Sequence, residues 1–137
     1  MNSERRQRSN ERGFSLIELM IVIAIIGILI AVGVTGWKAA VRSANEAAAV
    51  QNLRTLTQQQ MLYYNAHQRT AYGTFDELVK EGVVDSKFAG TAPVVDGYIF
   101  TLRIVPKTPA TPPGYQINAD PQVKEGVGAT GRNHFYT

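Results

Sequence analysis

The hydrophobic pattern divides the chain into three regimes. Residues 14–34 are apolar with a single charge, Glu18, and no proline. At about 1.5 Å rise per residue, a helix of that length spans about 31 Å, enough to cross a bilayer core. Residues 38–67 replace this run with an amphipathic pattern that lacks Pro and Gly and is rich in Ala, Gln and Leu, all compatible with helix. Val50, Leu53, Thr57, Met61 and Tyr64 fall on one face, flanked by Ala49, Leu56, Gln60 and Tyr63. The two regimes together predict one helix from Phe14 to about His67.

The third regime consists of short elements. After a loop over residues 68–73, Thr74-Phe75-Asp76-Glu77 has the spacing of a capping box. It predicts a two-turn helix with Leu78 and Val79 inward and Gly82 as its stop. Residues 83–96 read as an irregular connection, with Gly90, Pro93 and Gly97 as breakers. Residues 97–105 alternate, placing Tyr98, Phe100, Leu102 and Ile104 on one face of a strand. The four prolines in residues 106–114 make a turn that cannot pair in a sheet. Tyr115, Ile117 and Ala119 mark a second strand, and residues 132–137 a short third. The expected fold class is α+β: a long N-terminal helix, with a small head of one short helix and a three-stranded antiparallel sheet packed on its C-terminal half. The expected divisions are a leader (1–13), an apolar half-helix (14–36), an amphipathic half-helix (37–67) and a globular head (68–137).

Charge changes this picture at one end only. The chain carries a net charge of +3. Arg5, Arg6, Arg8 and Arg12 against Glu4 and Glu11 place +2 of it in residues 1–13. The rest is nearly neutral, so no phosphate-tracking surface and no nucleic-acid partner are expected. Arginines beside an apolar run hold the N-terminus in the cytoplasm and send the body outward. The absence of cysteine excludes disulfides and thiolate chemistry. Trp37-Lys38 places an aromatic and a cation at the far end of the run, as interfacial anchors require.

Three readings compete for the run itself. It can be a membrane anchor. It can be a secretory signal cut after Ala31-Val32-Gly33, although it exceeds the usual apolar length of about 7–15 residues. It can also be processed on its near side, at Arg12-Gly13-Phe14. The segment Gly13-Phe14-Ser15-Leu16-Ile17-Glu18-Leu19-Met20-Ile21-Val22-Ile23-Ala24-Ile25-Ile26-Gly27-Ile28-Leu29 resembles the class III signal of type IV prepilins and pseudopilins. That resemblance implies cleavage between Gly13 and Phe14 by a prepilin peptidase on the cytoplasmic side, with N-methylation of Phe14. It also implies retention of the apolar helix and its use as the core of a helical polymer of identical chains, built by an inner-membrane assembly platform. A glycine at the cut lets a protease approach the backbone closely.

Two accounts of Glu18 remain open. A carboxylate at the centre of a membrane span costs about 2.5–3.5 kcal/mol, less towards an end. The resemblance implies that Glu18 accepts the new amine of a neighbouring chain. The local account has it favouring the helix N-terminal dipole or reaching for the interface. Ala24, Gly27 and Ala31 recur at three- and four-residue spacing, which suits close helix packing as well as ordinary span composition. Many pilins have a proline where this chain has Thr35. Gly33 and Gly36 beside it, with Gly27, still weaken the helix by about 1 kcal/mol each relative to Ala.

Other chemistry is sparse. Tyr63, Tyr64 and His67 suggest either a stacking site or packing of the helix on the head. Arg42 and Glu46 are spaced to pair across one turn. His67 and His134 are too far apart in sequence to argue a metal pair. Asp96, Asp120 and Glu125 form no recognisable calcium run, so no cofactor is expected, with calcium on the C-terminal loops as the minor alternative. The expected function is a pilus subunit, first anchored in the inner membrane among lipids and then exported as part of a filament. The alternatives are a pseudopilin of a type II secretion system or a minor pilin, and, from another class, a soluble binding protein released after Gly33. No catalytic constellation supports an enzyme.

Overall fold

The computed structural model describes residues 13–126 and 128–137. The predicted leader over residues 1–13 lies outside them except for Gly13. Two compact units meet in sequence at Trp37 and Lys38. Helix α1 (Leu16–Ala66) has an apolar first half that is exposed along its length in the single chain. That half is long and apolar enough to cross a membrane.

In the second unit α1 buries Ala49, Leu53, Leu56, Gln60 and Tyr63, a stripe repeating every three or four residues. This corrects the predicted face. Residues expected on its flank form its centre, while Met61, expected inside, is 48% exposed. Gln60 is the reason, since a polar residue weakens a hydrophobic pattern yet here is fully buried. Its side-chain amide donates to the Gly73 carbonyl (2.6 Å) and accepts from the Gly73 amide (3.0 Å), as a neighbouring strand would. The Tyr63 ring closes over the same glycine, where an added Cβ would lie 3.0 Å from it.

Helix α1 ends on a reversal without glycine. Gln68 and Arg69 both take positive φ (55° and 59°), and the Arg69 amide donates to the Tyr64 carbonyl (2.9 Å). Left-handed backbone costs a residue with a Cβ about 1–2 kcal/mol. Gln68→Gly is therefore expected to stabilise the head by roughly 0.5–1 kcal/mol, part of the gain being lost to unfolded-state entropy. Urea unfolding of the detergent-solubilised chain, followed by tyrosine near-UV circular dichroism, measures it.

Helix α2 (Phe75–Lys80) has both halves of the predicted capping box, and Phe75 and Leu78 enter the core. Gly82, at φ +71°, ends it: the Val83 amide returns to the Leu78 carbonyl (3.1 Å). The residues expected to be irregular contain a 3-10 turn (Ser86–Phe88) and a short strand, β1 (Val94–Val95). The sheet thus has four strands where three were predicted. β1 pairs antiparallel with β2 (Tyr98–Val105) through a two-residue turn, Asp96-Gly97, in which both residues have positive φ. β2 pairs with β3 (Gly114–Pro121), and β3 with β4 (Phe135–Tyr136), giving the order β1-β2-β3-β4.

The inward side of the sheet buries Tyr98, Phe100, Ile117 and Ala119 against the α1 stripe. Tyr98 donates its hydroxyl to the Asn133 carbonyl (3.0 Å). Burial pushes its phenol above the ordinary 10.0, with Glu46 adding to the shift; burial is also the main cause at Tyr63 and Tyr72. A raised native value means that the unfolded chain ionises first. Stability is therefore complete below about pH 10 and falls as pH rises beyond it. Alkaline denaturation monitored at the tyrosinate absorbance is expected to be late and cooperative, and Tyr98→Phe to flatten its dependence on pH.

Candidate functional site

The helix begins two residues later than Phe14, and its first turn explains why. Ser15 stands before the first helical residue, and its carbonyl accepts from the Glu18 and Leu19 amides (3.1 and 3.3 Å). The Glu18 carboxylate folds back and accepts the Ser15 amide at 2.8 Å. This is one half of a capping box, and it occupies an amide that the helix itself leaves without a partner. The signal was present in the sequence as Ser-x-x-Glu at residues 15–18, but the apolar run around it suggested a helix starting at Phe14.

The consequence is that Gly13 and Phe14 lie outside the helix. A protease must bind its substrate as extended backbone, and a helical bond would first have to unwind. Phe14 is 81% exposed, and a Cβ at Gly13 would meet nothing within 4 Å. Among the described residues none covers the Gly13–Phe14 bond.

Ala24, Gly27, Ala31, Gly33 and Gly36 are all exposed, with open space around each of the three glycines. α1 continues without a break through residues 27–36. The Thr35 hydroxyl donates to the Val32 carbonyl (2.8 Å), the backbone-directed bond that serine and threonine make in apolar helices.

The other residues singled out by sequence serve the packing of the head. Tyr64 stacks on Tyr72 at 4.6 Å, and Tyr72 meets Tyr115 at the same distance. His67 stacks on Tyr63 at 4.0 Å and reaches Glu81 at 3.1 Å. His134 stands beside β4. Arg42 and Glu46 turn away from each other to the C-terminal segment. Arg42 donates to the Gly126 and Ala129 carbonyls, and Glu46 accepts the Arg132 amide. The local pair is weak, and backbone groups of an adjacent loop outcompete it.

Asp96 sits in the β1–β2 turn, Asp120 in β3 and Glu125 in a loop. Among the described residues no group of three His, Asp or Glu side chains is arranged to hold a metal ion. A cleft of about 570 Å³ lies between α1 and β4 and is mainly apolar, lined by Val50, Leu53 and Phe135 with Arg54 at its side.

Residues 8–34 match the prokaryotic N-terminal methylation motif. The chain carries a type IV pilin-like class III signal. No curated protein and no solved structure matches the chain. The signal takes in the Gly13–Phe14 bond, Glu18 and all but the last two residues of the apolar half of α1; its first residues, 8–12, lie outside the described ones. Signal and helix together fit a precursor anchored in a membrane.

Proposed function

We propose that this protein is the precursor of a pilus subunit, cut between Gly13 and Phe14, N-methylated on Phe14 and polymerised through the apolar half of α1. One observation carries the reading. The methylation motif spans residues 8–34, and within that stretch exposed, non-helical backbone at Gly13 and Phe14 meets a capped, exposed apolar helix, which supports a cut between them. An exposed helix of this kind has two stable surroundings, lipid or other copies of itself, and the signal links the first to the second. In the precursor the helix is an anchor; in the polymer the same surface is buried between chains, at roughly 25 cal/mol per Å² of apolar area.

After the cut, Phe14 carries a positive amine one residue before Ser15, whose amide Glu18 accepts. Glu18 of one subunit accepts the amine of the next, which neutralises both charges inside the polymer. Its partners are copies of itself, the prepilin peptidase and an inner-membrane assembly platform. The function is structural rather than catalytic. Filaments long enough to be sheared from cells distinguish a pilus from a pseudopilus.

Mass spectrometry of the mature N-terminus tests the reading directly. The expected terminus is methylated Phe14, and Gly13→Val is expected to leave the precursor uncut, because a branched side chain would occupy the space the peptidase needs. A terminus at Val34 would identify ordinary secretion and overturn the proposal.

A further inference from the structure

The head carries a strongly charged surface that neither processing nor core packing uses. Lys38 and Arg42, one turn apart, are the first cations after the apolar run, four and eight residues beyond Val34 on α1. The C-terminal segment brings two more beside Arg42. Arg42 and Arg132 line a cleft of about 200 Å³ together with Glu46. Arg42, Lys124 and Arg132 line a second of about 430 Å³ together with Glu125.

Arg42, Lys124 and Arg132 share these clefts with two carboxylates, and one of those is already engaged. Glu46 accepts the Arg132 backbone amide (2.8 Å) and the Asn133 side-chain amide (3.4 Å). Arg42 makes two long bonds, 3.3 Å each, to the neutral carbonyls of Ala129 and Gly126. These hold its guanidinium in place without neutralising it. Among the described residues no carboxylate lies within ion-pair distance of Arg42, Lys124 or Arg132, and the last two are exposed.

We propose that this basic rim binds the phosphates of anionic phospholipid headgroups while the precursor is anchored. Its position on the helix favours that partner. Only eight residues separate Arg42 from Val34, the last residue of the apolar run, so the chain itself brings the rim to the polar edge of the bilayer. Lys and Arg stems are long enough to carry their charge to the headgroup level while their apolar part stays packed. Trp37, 73% exposed, supplies an interfacial aromatic next to Lys38. A guanidinium offers phosphate two parallel hydrogen bonds, and two guanidiniums flank the cleft. Bound lipid would set the depth and rotation of the anchored subunit, and would have to be released when the subunit enters a polymer.

The inference rests on the anchored-precursor reading alone. The test is chosen accordingly, on the uncut full chain in vesicles, with neither cleavage nor assembly required. Trp37 is the only tryptophan, so brominated lipids report on the lipids around the rim. In mixed phosphatidylcholine–phosphatidylglycerol vesicles, brominated phosphatidylglycerol is expected to quench Trp37 several-fold more strongly than brominated phosphatidylcholine. A Lys124→Gln/Arg132→Gln double variant is expected to lower that preference about fivefold or more, as is expected when interfacial cations are removed. Added salt weakens the preference, and inorganic phosphate at the same ionic strength weakens it no further. Lys38→Gln lowers it independently of the loop, which covers a double variant whose C-terminal segment detaches.

Equal quenching by the two lipids, or an unchanged preference in both variants, would overturn the proposal. Specific displacement by inorganic phosphate would identify a site for free phosphate and overturn the lipid assignment. Failure of both lipids to quench would overturn the anchored reading with it. A chain that prefers phosphatidylglycerol yet is never cut at Gly13 would leave the rim intact and reject only the pilus.

Discussion

Glu18→Ala is expected to leave cleavage at Gly13 intact and to abolish filaments. The proposed cut is at the Gly13–Phe14 bond, and both residues precede the helix. Losing the Ser15 hydrogen bond frays only the first turn, at about 1 kcal/mol. Assembly is another matter. Each mature chain would bring a positive amine into an apolar surrounding with nothing to pair it, and breaking a buried ion pair costs about 3–5 kcal/mol. At 1.4 kcal/mol per factor of ten, that weakens each contact by roughly two to three orders of magnitude. Glu18→Gln separates the two roles, since its amide oxygen can still accept the Ser15 amide but carries no charge. Capping alone predicts normal filaments from the glutamine variant, whereas pairing with the amine predicts none. Counting sheared filaments by electron microscopy, with the N-terminus checked by mass spectrometry, decides between them. Abundant filaments from both variants would remove Glu18 from the assembly mechanism.

The second large effect is expected at Gln60. Replacing it by alanine leaves the buried amide and carbonyl of Gly73 without partners and opens a cavity under Tyr63. Each orphaned group costs about 1–3 kcal/mol, so a loss of about 2–5 kcal/mol is expected, a large share of what a head this size possesses. Gln60→Glu adds a pH signature. The introduced carboxylate can accept the Gly73 amide but cannot donate to its carbonyl, while the protonated acid can do both. Burial raises the acid's native pKa above its unfolded value of about 4.3. Stability of this variant should therefore be greatest below that value and be lost as pH rises through the native one. Denaturant midpoints measured across the acidic range would show the trend, and a flat profile would mean that the Gly73 clamp contributes little.

These two residues also mark how far the sequence could be read. The N-terminal half was legible because its signal is dense: an unbroken apolar run, one charge and a glycine at the junction. The capping box at Thr74–Glu77 and the alternation in β2 and β3 were legible for the same reason, each being a local pattern with a local cause. What was missed depended on partners distant in sequence. Gln60 is core only because Gly73 meets it, so the inner stripe of α1 was placed one position away from its true centre. β1 contains two residues, too few for alternation, and its real signature was the Asp96-Gly97 turn, passed over as a breaker. Arg42 and Glu46 matched a helical pairing rule that assumes no better acceptor nearby, and the C-terminal loop supplied several. At Glu18 the Ser15 capping partner was missed because the apolar run made the helix seem to begin earlier.

The way that loop is attached has a consequence for how the protein can change. Arg42 grips the Gly126 and Ala129 carbonyls, Asn45 the Thr130 carbonyl, and Glu46 the Arg132 amide. All four are main-chain atoms, which every sequence provides. The side chains of Lys124, Glu125 and Ala129 take no part in holding the loop down. Thr130, bonded to the Val123 amide, and Gly131, packed on Tyr98, are the fixed points. Ahead of Thr130 the described side chains of this segment can change while the fastening stays the same, and only the basic rim constrains Lys124.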